Sequence, residues 1–280
     1  MKVAIITGAD GAMGYEESKA VAQQGYHLVM ACYCPALAQE KCERLRQETG
    51  NSNIEVIGLD LSSLALVRRF ADEVKSRFQH IDLLMNNAGT METGKHITVD
   101  GIERTVAVNY VGPYLLTRLL LPLMGEGSRI VCMSSVSYHL GSLKNLNAFF
   151  SDGRKGWWQR VLVYASSKLA VTLFVFKMAE RLRGTGVTIN AADPGVVDTP
   201  IIGFQMFFDP ITDLVFRPFI RTPREGADTA IRLLLDADKA ALNGTFCRSG
   251  RPVDLGKKYT QHKQLDALWE RTEEIVQAYL

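Results

Sequence analysis

Short runs of apolar and β-branched residues alternate with longer helical patterns along nearly all of this 280-residue chain. The runs predict strands at Val3–Ile6, Leu28–Cys32, Ile54–Leu59, Ile81–Met85, Arg129–Met133, Val187–Ala191 and Gly244–Cys247. Helical patterns lie between them near 14–24, 36–48, 63–79, 99–124, 160–184 and 224–236, and an amphipathic segment at 262–279 closes the chain. Because such alternation pairs strands in parallel through right-handed crossovers, it predicts an α/β fold of three layers, with a doubly wound parallel sheet of about seven strands.

The composition is that of an ordinary globular chain, with 47% hydrophobic and 22% charged residues. No repeat or low-complexity linker interrupts the alternation, so we expect residues 1–280 to form a single domain. The formal net charge is only +2 and the Lys and Arg residues are scattered, which argues against a nucleic-acid partner. Five cysteines without zinc-site spacing, and an N-terminus without a signal-peptide pattern, predict reduced thiols, no metal site and a cytoplasmic location.

A glycine-rich turn stands between the first predicted strand and the first predicted helix. Its sequence is Thr7-Gly8-Ala9-Asp10-Gly11-Ala12-Met13-Gly14. Glycines let the backbone approach a ligand closely, and the free N–H groups of a helix N-terminus attract a pyrophosphate. The turn therefore predicts dinucleotide binding in a Rossmann-type arrangement, against the alternative of a plain tight turn. The second strand runs into Cys32 and Tyr33, which are neither an acid for NAD nor an arginine for NADP, so the choice of cofactor stays open.

Tyr164 and Lys168 are four residues apart on a predicted helix, so they project from the same face. A phenol is a poor base at neutral pH because its pKa is near ~10, and a nearby ammonium stabilises the phenolate and lowers that pKa. The pair is a candidate for proton transfer, although the same spacing also occurs in exposed helix pairs. Ser135 at the end of the fifth strand and Asn109 in the preceding helix could join them, or could be a cap and a packing residue.

Several motifs, taken together and in order along the chain, resemble those of the short-chain dehydrogenase/reductases and, within them, the retinol-dehydrogenase-like branch. They are Thr7 to Gly14, Asp60, Asn86-Asn87-Ala88-Gly89, Val108-Asn109, Ser134-Ser135, Tyr164-Ala165-Ser166-Ser167-Lys168 and Pro194-Gly195-Val196-Val197-Asp198-Thr199. The resemblance runs essentially from end to end. It implies a Rossmann-type fold and an oxidoreductase that moves hydride between NAD(P)(H) and an alcohol or carbonyl.

The resemblance also implies roles for individual residues. The implied catalytic tetrad is Asn109, Ser135, Tyr164 and Lys168. Tyr164 would be the general acid in reduction and the base in oxidation, and Ser135 would orient the substrate oxygen. Lys168 would hold the nicotinamide ribose and tune Tyr164, while Asn109 would anchor a proton-relay water. The implied cofactor contacts are Thr7, Gly8, Asp10, Gly11, Ala12, Met13, Gly14, Tyr33, Asp60, Leu61, Asn87, Ala88, Gly89, Tyr164, Lys168, Pro194, Gly195, Val197 and Thr199.

The partner implied by the resemblance is a hydrophobic small-molecule substrate. The long separation of Ser135 from Tyr164 resembles the retinol-dehydrogenase-like branch, whose members act on lipophilic alcohols and carbonyls such as retinoids and steroids. The apolar stretch 201–220 would suit such a substrate as a flap around 200–222, or be a lid packed on its own sheet. Because it contains Asp209 and Asp213, it does not predict a transmembrane segment. The aromatic residues within 136–160 could likewise line a pocket or pack over the sheet edge.

Three further interpretations stay open at the level of sequence. Ala12 stands where that branch has glycine, and the glycines at 8, 11 and 14 are spaced as in nucleotide-sugar epimerases, so an epimerase-like enzyme is one alternative. A non-catalytic cofactor sensor with the same fold is another. The long helices at 99–124 and 160–184 could pair subunits in a homodimer or homotetramer, or simply pack against the sheet.

Overall fold

A single sheet with helices on both faces organises the computed structural model, which describes residues 1–92, 94–151, 157–197 and 221–280. The strands of this described part are β1 (Val3–Thr7), β2 (His27–Cys32), β3 (Ile54–Gly58), β4 (Leu83–Asn86), β5 (Arg129–Met133), β6 (Thr188–Asp193), β7 (Thr245–Arg248) and β8 (Arg251–Val253). Their order is β3-β2-β1-β4-β5-β6-β7-β8, and only β8 pairs antiparallel. The predicted doubly wound parallel sheet is confirmed.

The helices form a layer on each side of this sheet. Those of the described residues are α1 (Ala12–Gln23), α2 (Pro35–Thr49), α3 (Leu64–Arg77), α4 (Arg104–Val106), α5 (Gly112–Leu120), α6 (Leu146–Ser151), α7 (Trp157–Arg181), α8 (Pro223–Leu235), α9 (Lys257–Thr260) and α10 (Leu265–Val276). Successive side chains of a strand point to opposite faces. Ile5 of β1 accordingly joins one apolar cluster with Phe70 and Phe174, whereas Ile6 joins a second with Leu45 and Leu233. These two clusters make the three layers expected from the sequence.

The strand that sequence reasoning missed is β8. It has three residues, its pattern is not apolar, and both Arg251 and Pro252 are exposed. It forms only because the chain turns back on β7 and pairs with it in the antiparallel direction, with Arg248 opposite Arg251. Pro252 cannot donate a backbone hydrogen bond, which is tolerated at the edge of a sheet.

The predicted helix at 99–124 is not uniform. It begins at Arg104, because the carboxylate of Glu103 accepts the backbone N–H of Val106 at 2.8 Å and caps the first turn. A π-helical turn, Ala107–Val111, separates α4 from α5, and a 3₁₀ turn, Leu121–Leu123, ends the helix. Single π turns inside helices change the direction of one side chain and frequently occur at functional sites. This one contains Asn109.

The aromatic residues of the segment 136–160 mostly belong to the core. A 3₁₀ helix, Val136–Leu140, and α6 place Tyr138, Phe149 and Phe150 at no more than 8% exposure. Phe149 and Phe150 both pack against Tyr110, and Tyr138 packs edge-on against Phe246. The sequence left open whether these aromatic residues line a pocket or pack over the sheet. For these three side chains, the structure shows packing over the sheet. Trp158 is exposed.

Two helical stretches of the described residues, Arg104–Leu123 and Trp158–Arg181, are long and apolar enough to cross a membrane by length and composition alone. In each, 72% of the most apolar window is buried inside the protein. Core helices of globular proteins meet the same criterion, so these stretches are weak evidence for a membrane span. The predicted flap falls almost wholly within 198–220, outside the described residues.

Candidate active site

The order of the sheet reverses between β1 and β4, and open α/β sheets bind ligands at the carboxyl ends of the strands beside such a reversal. A cleft of about 640 Å³ lies there, within the usual range for small-molecule sites. The glycine turn after β1 lines one side of it, and the segment from Asn87 to Thr90 after β4 lines the other. Tyr33, Asp60 and Leu61 line it as well. Of the cofactor contacts implied by the resemblance, the structure brings together those before residue 90.

The start of α1 can pack this closely against the glycine turn only because Gly14 lacks a side chain. A Cβ there would lie 2.2 Å from the carbonyl oxygen of Gly8 and 2.8 Å from Nδ2 of Asn87. Gly8 has a φ of +62°, which glycine adopts without strain. Gly11 caps α1 without a side-chain hydrogen bond, so the first N–H groups of α1 remain directed at the cleft. Backbone donors and close approach of this kind fit a pyrophosphate.

Ala12 was the departure from the family pattern within this turn. Its side chain is exposed, so the extra methyl group does not press on the backbone of the turn. The conformation of the turn is held instead by hydrogen bonds to the two residues that follow β4. Nδ2 of Asn87 donates to the carbonyl oxygens of Thr7 and Gly8 at 3.0 and 3.2 Å, and the Thr7 hydroxyl accepts the backbone N–H groups of Asn87 and Ala88 at 3.0 Å each.

The far end of the cleft carries one cation that sequence reasoning missed. Nζ of Lys41 in α2 donates to the carbonyl oxygen of Asp10 at 2.5 Å, and Lys41 lines the cleft beside Tyr33. The carboxylate of Asp10 lies against the thiol of Cys32; burial and this carboxylate raise the pKa of that thiol to about 12. Asp60 uses Oδ1 to accept the N–H and hydroxyl of Ser62 at 2.8 and 2.6 Å. The acidic Asp60 and the basic Lys41 therefore both line this end of the cleft. Neither comes from the end of β2, where the residue that selects between NAD and NADP was sought.

The tetrad implied by the resemblance comes together next to Gly89 and Thr90, two residues that line the cleft. The hydroxyl of Ser135 lies close enough to the phenol of Tyr164 to lower its pKa. Nζ of Lys168 lies 5.6 Å from the centre of the Tyr164 ring and donates to the carbonyl oxygen of Met133 at 2.8 Å. Gly89 joins this group to the cleft, because a Cβ on Gly89 would lie 3.6 Å from that Nζ. The spacing of Tyr164 and Lys168 therefore does place them together at the carboxyl end of β5.

The two serines at the end of β5 have different environments. The hydroxyl of Ser134 is buried and shares a hydrogen bond of 2.8 Å with the hydroxyl of Thr172 in α7. Ser135 is partly exposed, caps the 3₁₀ helix by accepting the N–H of Ser137 at 3.2 Å, and meets Tyr164. Of these two serines, Ser135 is therefore the one placed to contact a substrate oxygen.

Asn109 lies at the junction of the cleft and the tetrad. Its Nδ2 donates to the carbonyl oxygen of Thr90 at 2.9 Å and to the hydroxyl of Ser167 at 3.0 Å, while its Oδ1 accepts the N–H of Thr90 at 2.7 Å. Both N–H groups of the amide are thus used by the protein. The water-anchoring role of Asn109 stays a prediction. Sequence reasoning did not identify its partners Thr90 and Ser167, although Thr90 adjoins one recognised motif and Ser167 lies within another.

The electrostatics of the pair differ from expectation in one respect. We expected Lys168 to lower the pKa of the Tyr164 phenol, but burial, reinforced by the charge of Asp193, raises that pKa to about 12 against a smaller lowering by Ser135. Burial also lowers the pKa of Lys168 to about 8. The expectation was wrong for this geometry because both groups are removed from water, and desolvation is the largest cause of both shifts.

The turn after β6 contains three more of the implied cofactor contacts, which do not line the cleft described above. Pro194, Gly195 and Val197 follow the end of β6, and Gly195 has a φ of +77°. The carbonyl oxygen of Pro194 accepts a hydrogen bond from Nη1 of Arg221 at 3.2 Å. Val197 and Arg221 also form an isolated parallel β-bridge through their backbones. Thr199, the remaining implied contact, lies outside the described residues. Among the described residues, no group of three or more His, Cys, Asp or Glu side chains could hold a metal ion.

Comparison with known proteins gives a consistent result. Residues 8–245 match a family profile described as enoyl-(acyl carrier protein) reductase. Retinol dehydrogenase 11 of Mus musculus is 37% identical over 250 residues, which cover 87% of this chain and 76% of that protein. Retinol dehydrogenase 12 of Bos taurus is 33% identical over 279 residues, covering 98% and 86%. A crystal structure of an uncharacterized protein from Mycobacterium paratuberculosis superposes with a TM-score of 0.77 at 26% identity, covering 99% of this chain and 94% of that one.

Proposed function

Because the chain belongs to the short-chain dehydrogenase/reductase family, in its retinol-dehydrogenase-like branch, and is an NAD(P)-dependent oxidoreductase of that family, we propose that it interconverts a lipophilic alcohol and its carbonyl, of the retinoid or steroid class. The observation that carries the proposal is the proximity of Tyr164, Ser135 and Lys168 to one another, next to Gly89, which lines the cleft. The similarity to retinol dehydrogenases supports the lipophilic class of substrate.

The proposed chemistry divides the work between cofactor and protein. The nicotinamide supplies or accepts the hydride when bound. The glycine turn and α1 bind its pyrophosphate, Lys168 orients its ribose, and Ser135 holds the substrate oxygen. Since the pKa of Tyr164 is about 12, its phenol is protonated at neutral pH and can donate that proton to the carbonyl oxygen during reduction. This favours the general-acid role of Tyr164 over its role as base at neutral pH.

A substrate panel tests the proposal. We expect purified protein to reduce retinal-like or steroid carbonyls, and to oxidise the matching alcohols, with NADH or NADPH, while short polar carbonyls react at least about tenfold more slowly in kcat/KM because they fill less of an apolar site. Both reduced cofactors are also titrated separately by fluorescence. Turnover of nucleotide sugars instead would favour the epimerase-like alternative, and cofactor binding without any turnover would favour the sensor.

The rate of carbonyl reduction is expected to fall as the pH rises through about 8, the pKa of Lys168. Tyr164 stays protonated over this range, so the fall reports loss of the ammonium that orients the ribose. Profiles of kcat/KM from pH 6 to pH 10 measure it, these limits being about two units on either side of that pKa. As a control, Lys168→Arg keeps its charge and should show no such fall, whatever its absolute rate. A wild-type profile flat to the upper limit would contradict the assignment.

Location and assembly belong to the proposal as well. We propose a cytoplasmic protein, which fractionation of cells that express it would test. A homodimer or homotetramer through the helices at 99–124 and 160–184 stays a prediction. In the structure α6 and α10 cover part of those helices, with Trp269 packing against Tyr114 and Phe174. The molar mass in solution, by light scattering, decides between one and several subunits.

A further inference from the structure

A buried ion pair joins the ends of β6 and β7 directly beside the tetrad. Asp193, the last residue of β6, is completely buried, and its Oδ2 accepts Nε of Arg248, the last residue of β7, at 2.6 Å. The two residues are also direct partners in the sheet. Arg248 is 35% exposed, although its Nη2 is buried as well. Neither residue belongs to the motifs that carried the resemblance.

The carboxylate holds the backbone on both sides of the reaction site. Its Oδ1 accepts the N–H of Val136 at 3.2 Å and the N–H of Gly195 at 3.0 Å. The residue before Ser135 is held in the same way, because the N–H of Ser134 donates to the carbonyl oxygen of Ala192 at 2.8 Å. Ser135 is thus fixed between two hydrogen bonds to the end of β6. The same carboxylate fixes the first turn of the segment after β6.

The charge of Asp193 also acts on the reacting groups. It raises the pKa of Tyr164 and opposes the fall in the pKa of Lys168. Among the described residues, further ionisable or charged groups near Asp193, Tyr164 and Lys168 come from several elements. They are Arg248 in β7, Cys132 in β5, Tyr138 and His139 in the 3₁₀ helix, and Tyr259 in α9.

We propose that Asp193 and Arg248 are a positioning pair for the proposed reaction: the carboxylate fixes Ser135 and supplies negative charge beside the Tyr164 phenol, and the guanidinium limits that charge. This proposal rests on the proposed role of Tyr164. A purely structural strand-end ion pair would serve stability alone, and loss of either partner would then affect the site in the same direction.

The test uses the opposite signs of the two charges. Asp193→Asn keeps an oxygen for Val136 and Gly195 but removes the negative charge, so the pH midpoint of alcohol oxidation, where Tyr164 is the base, should fall by on the order of one unit. Arg248→Gln leaves the carboxylate uncompensated, so the midpoint should rise. Arg248→Lys should restore the wild-type midpoint. Arg251→Gln, which removes an exposed charge from the neighbouring strand, should leave it unchanged.

A second measurement does not depend on substrate. With 3-fluorotyrosine in place of tyrosine, the fluorine resonance of residue 164, assigned by its loss in Tyr164→Phe, reports ionisation of the phenol directly. Its midpoint should move down in Asp193→Asn and up in Arg248→Gln, and NADPH and NADH titrations show whether each variant keeps its cofactor site. If the midpoints do not move, or move in the same direction, in variants that remain folded by circular dichroism, the proposal is wrong.

Arg248→Gln leaves the hydrogen bonds of Asp193 to Val136 and Gly195 in place. This variant therefore still tests the proposal if Asp193→Asn fails to fold. If no substrate is turned over but the resonances shift as stated, the proposed function is wrong, whereas the electrostatic action of Asp193 and Arg248 on Tyr164 is confirmed.

Discussion

Tyr164→Phe is expected to lower kcat about 10²- to 10⁴-fold while leaving the affinity for NADH and NADPH largely unchanged, because it removes the proton that is transferred and little else. The phenol of Tyr164 lies near Ser135, outside the lining of the cleft, whereas the glycine turn proposed to bind the cofactor lines that cleft. Steady-state kinetics on the best substrate of the panel and fluorescence titration of the cofactors measure the two effects separately.

A matched control for this variant is Tyr279→Phe. The hydroxyl of Tyr279 donates to Oδ1 of Asp100 at 2.8 Å, near the end of the chain and outside the cleft. Its loss should cost roughly 1 kcal/mol of stability and leave kcat unchanged. Retention of wild-type turnover by Tyr164→Phe would show that another group transfers the proton, and would remove the basis for the proposed role.

Gly14→Ala is expected to weaken cofactor binding at least about tenfold, corresponding to ~1.4 kcal/mol or more. The new Cβ would lie 2.2 Å from the carbonyl oxygen of Gly8, which is backbone and cannot turn aside, and 2.8 Å from Nδ2 of Asn87. The start of α1 must therefore move away from the turn, and overpacking of this kind also costs about 1–3 kcal/mol of folding free energy. Fluorescence titration and urea denaturation measure the two losses.

Gly11→Ala is the control within the same turn. A Cβ at Gly11 approaches only the Gly8 carbonyl oxygen, at 3.2 Å, and the φ of −72° suits alanine. We expect a change in cofactor affinity smaller than about threefold, less than ~0.7 kcal/mol. Equal binding by Gly14→Ala and wild type would mean that the turn does not approach the pyrophosphate, and the cofactor site would have to be sought elsewhere.

Local patterns accounted for most of the architecture. The apolar runs predicted β1 to β7, because a strand buried on both faces must be apolar along its length. β8 escaped prediction because its three residues have no apolar pattern and pair only after β7 has been placed. The glycine turn was recognised because closely spaced glycines in a sequence indicate a backbone that turns tightly and can approach a ligand.

The site could be predicted only in part. Four-residue spacing put Tyr164 and Lys168 on one helical face, as expected. The π turn that aims Asn109 toward Thr90 and Ser167 gives no sequence signal, nor does the approach of Lys41 to Asp10, which are separated by 31 positions. Such contacts depend on how helices, strands and loops that are distant in the chain pack against one another. Local sequence patterns do not report that packing.

The sequence by itself determined the order of strands and helices along the chain, the glycine turn after β1 and the types of residue available for proton transfer, because each depends on residues adjacent in the chain or one helical turn apart. Only the tertiary structure decided the charge state of those residues. The pKa values of Tyr164 and Lys168, and the pairing of Asp193 with Arg248, follow from burial and from neighbours on other strands. The physical reason is that desolvation and electrostatic interaction depend on distances in space, which exist only once the sheet has assembled.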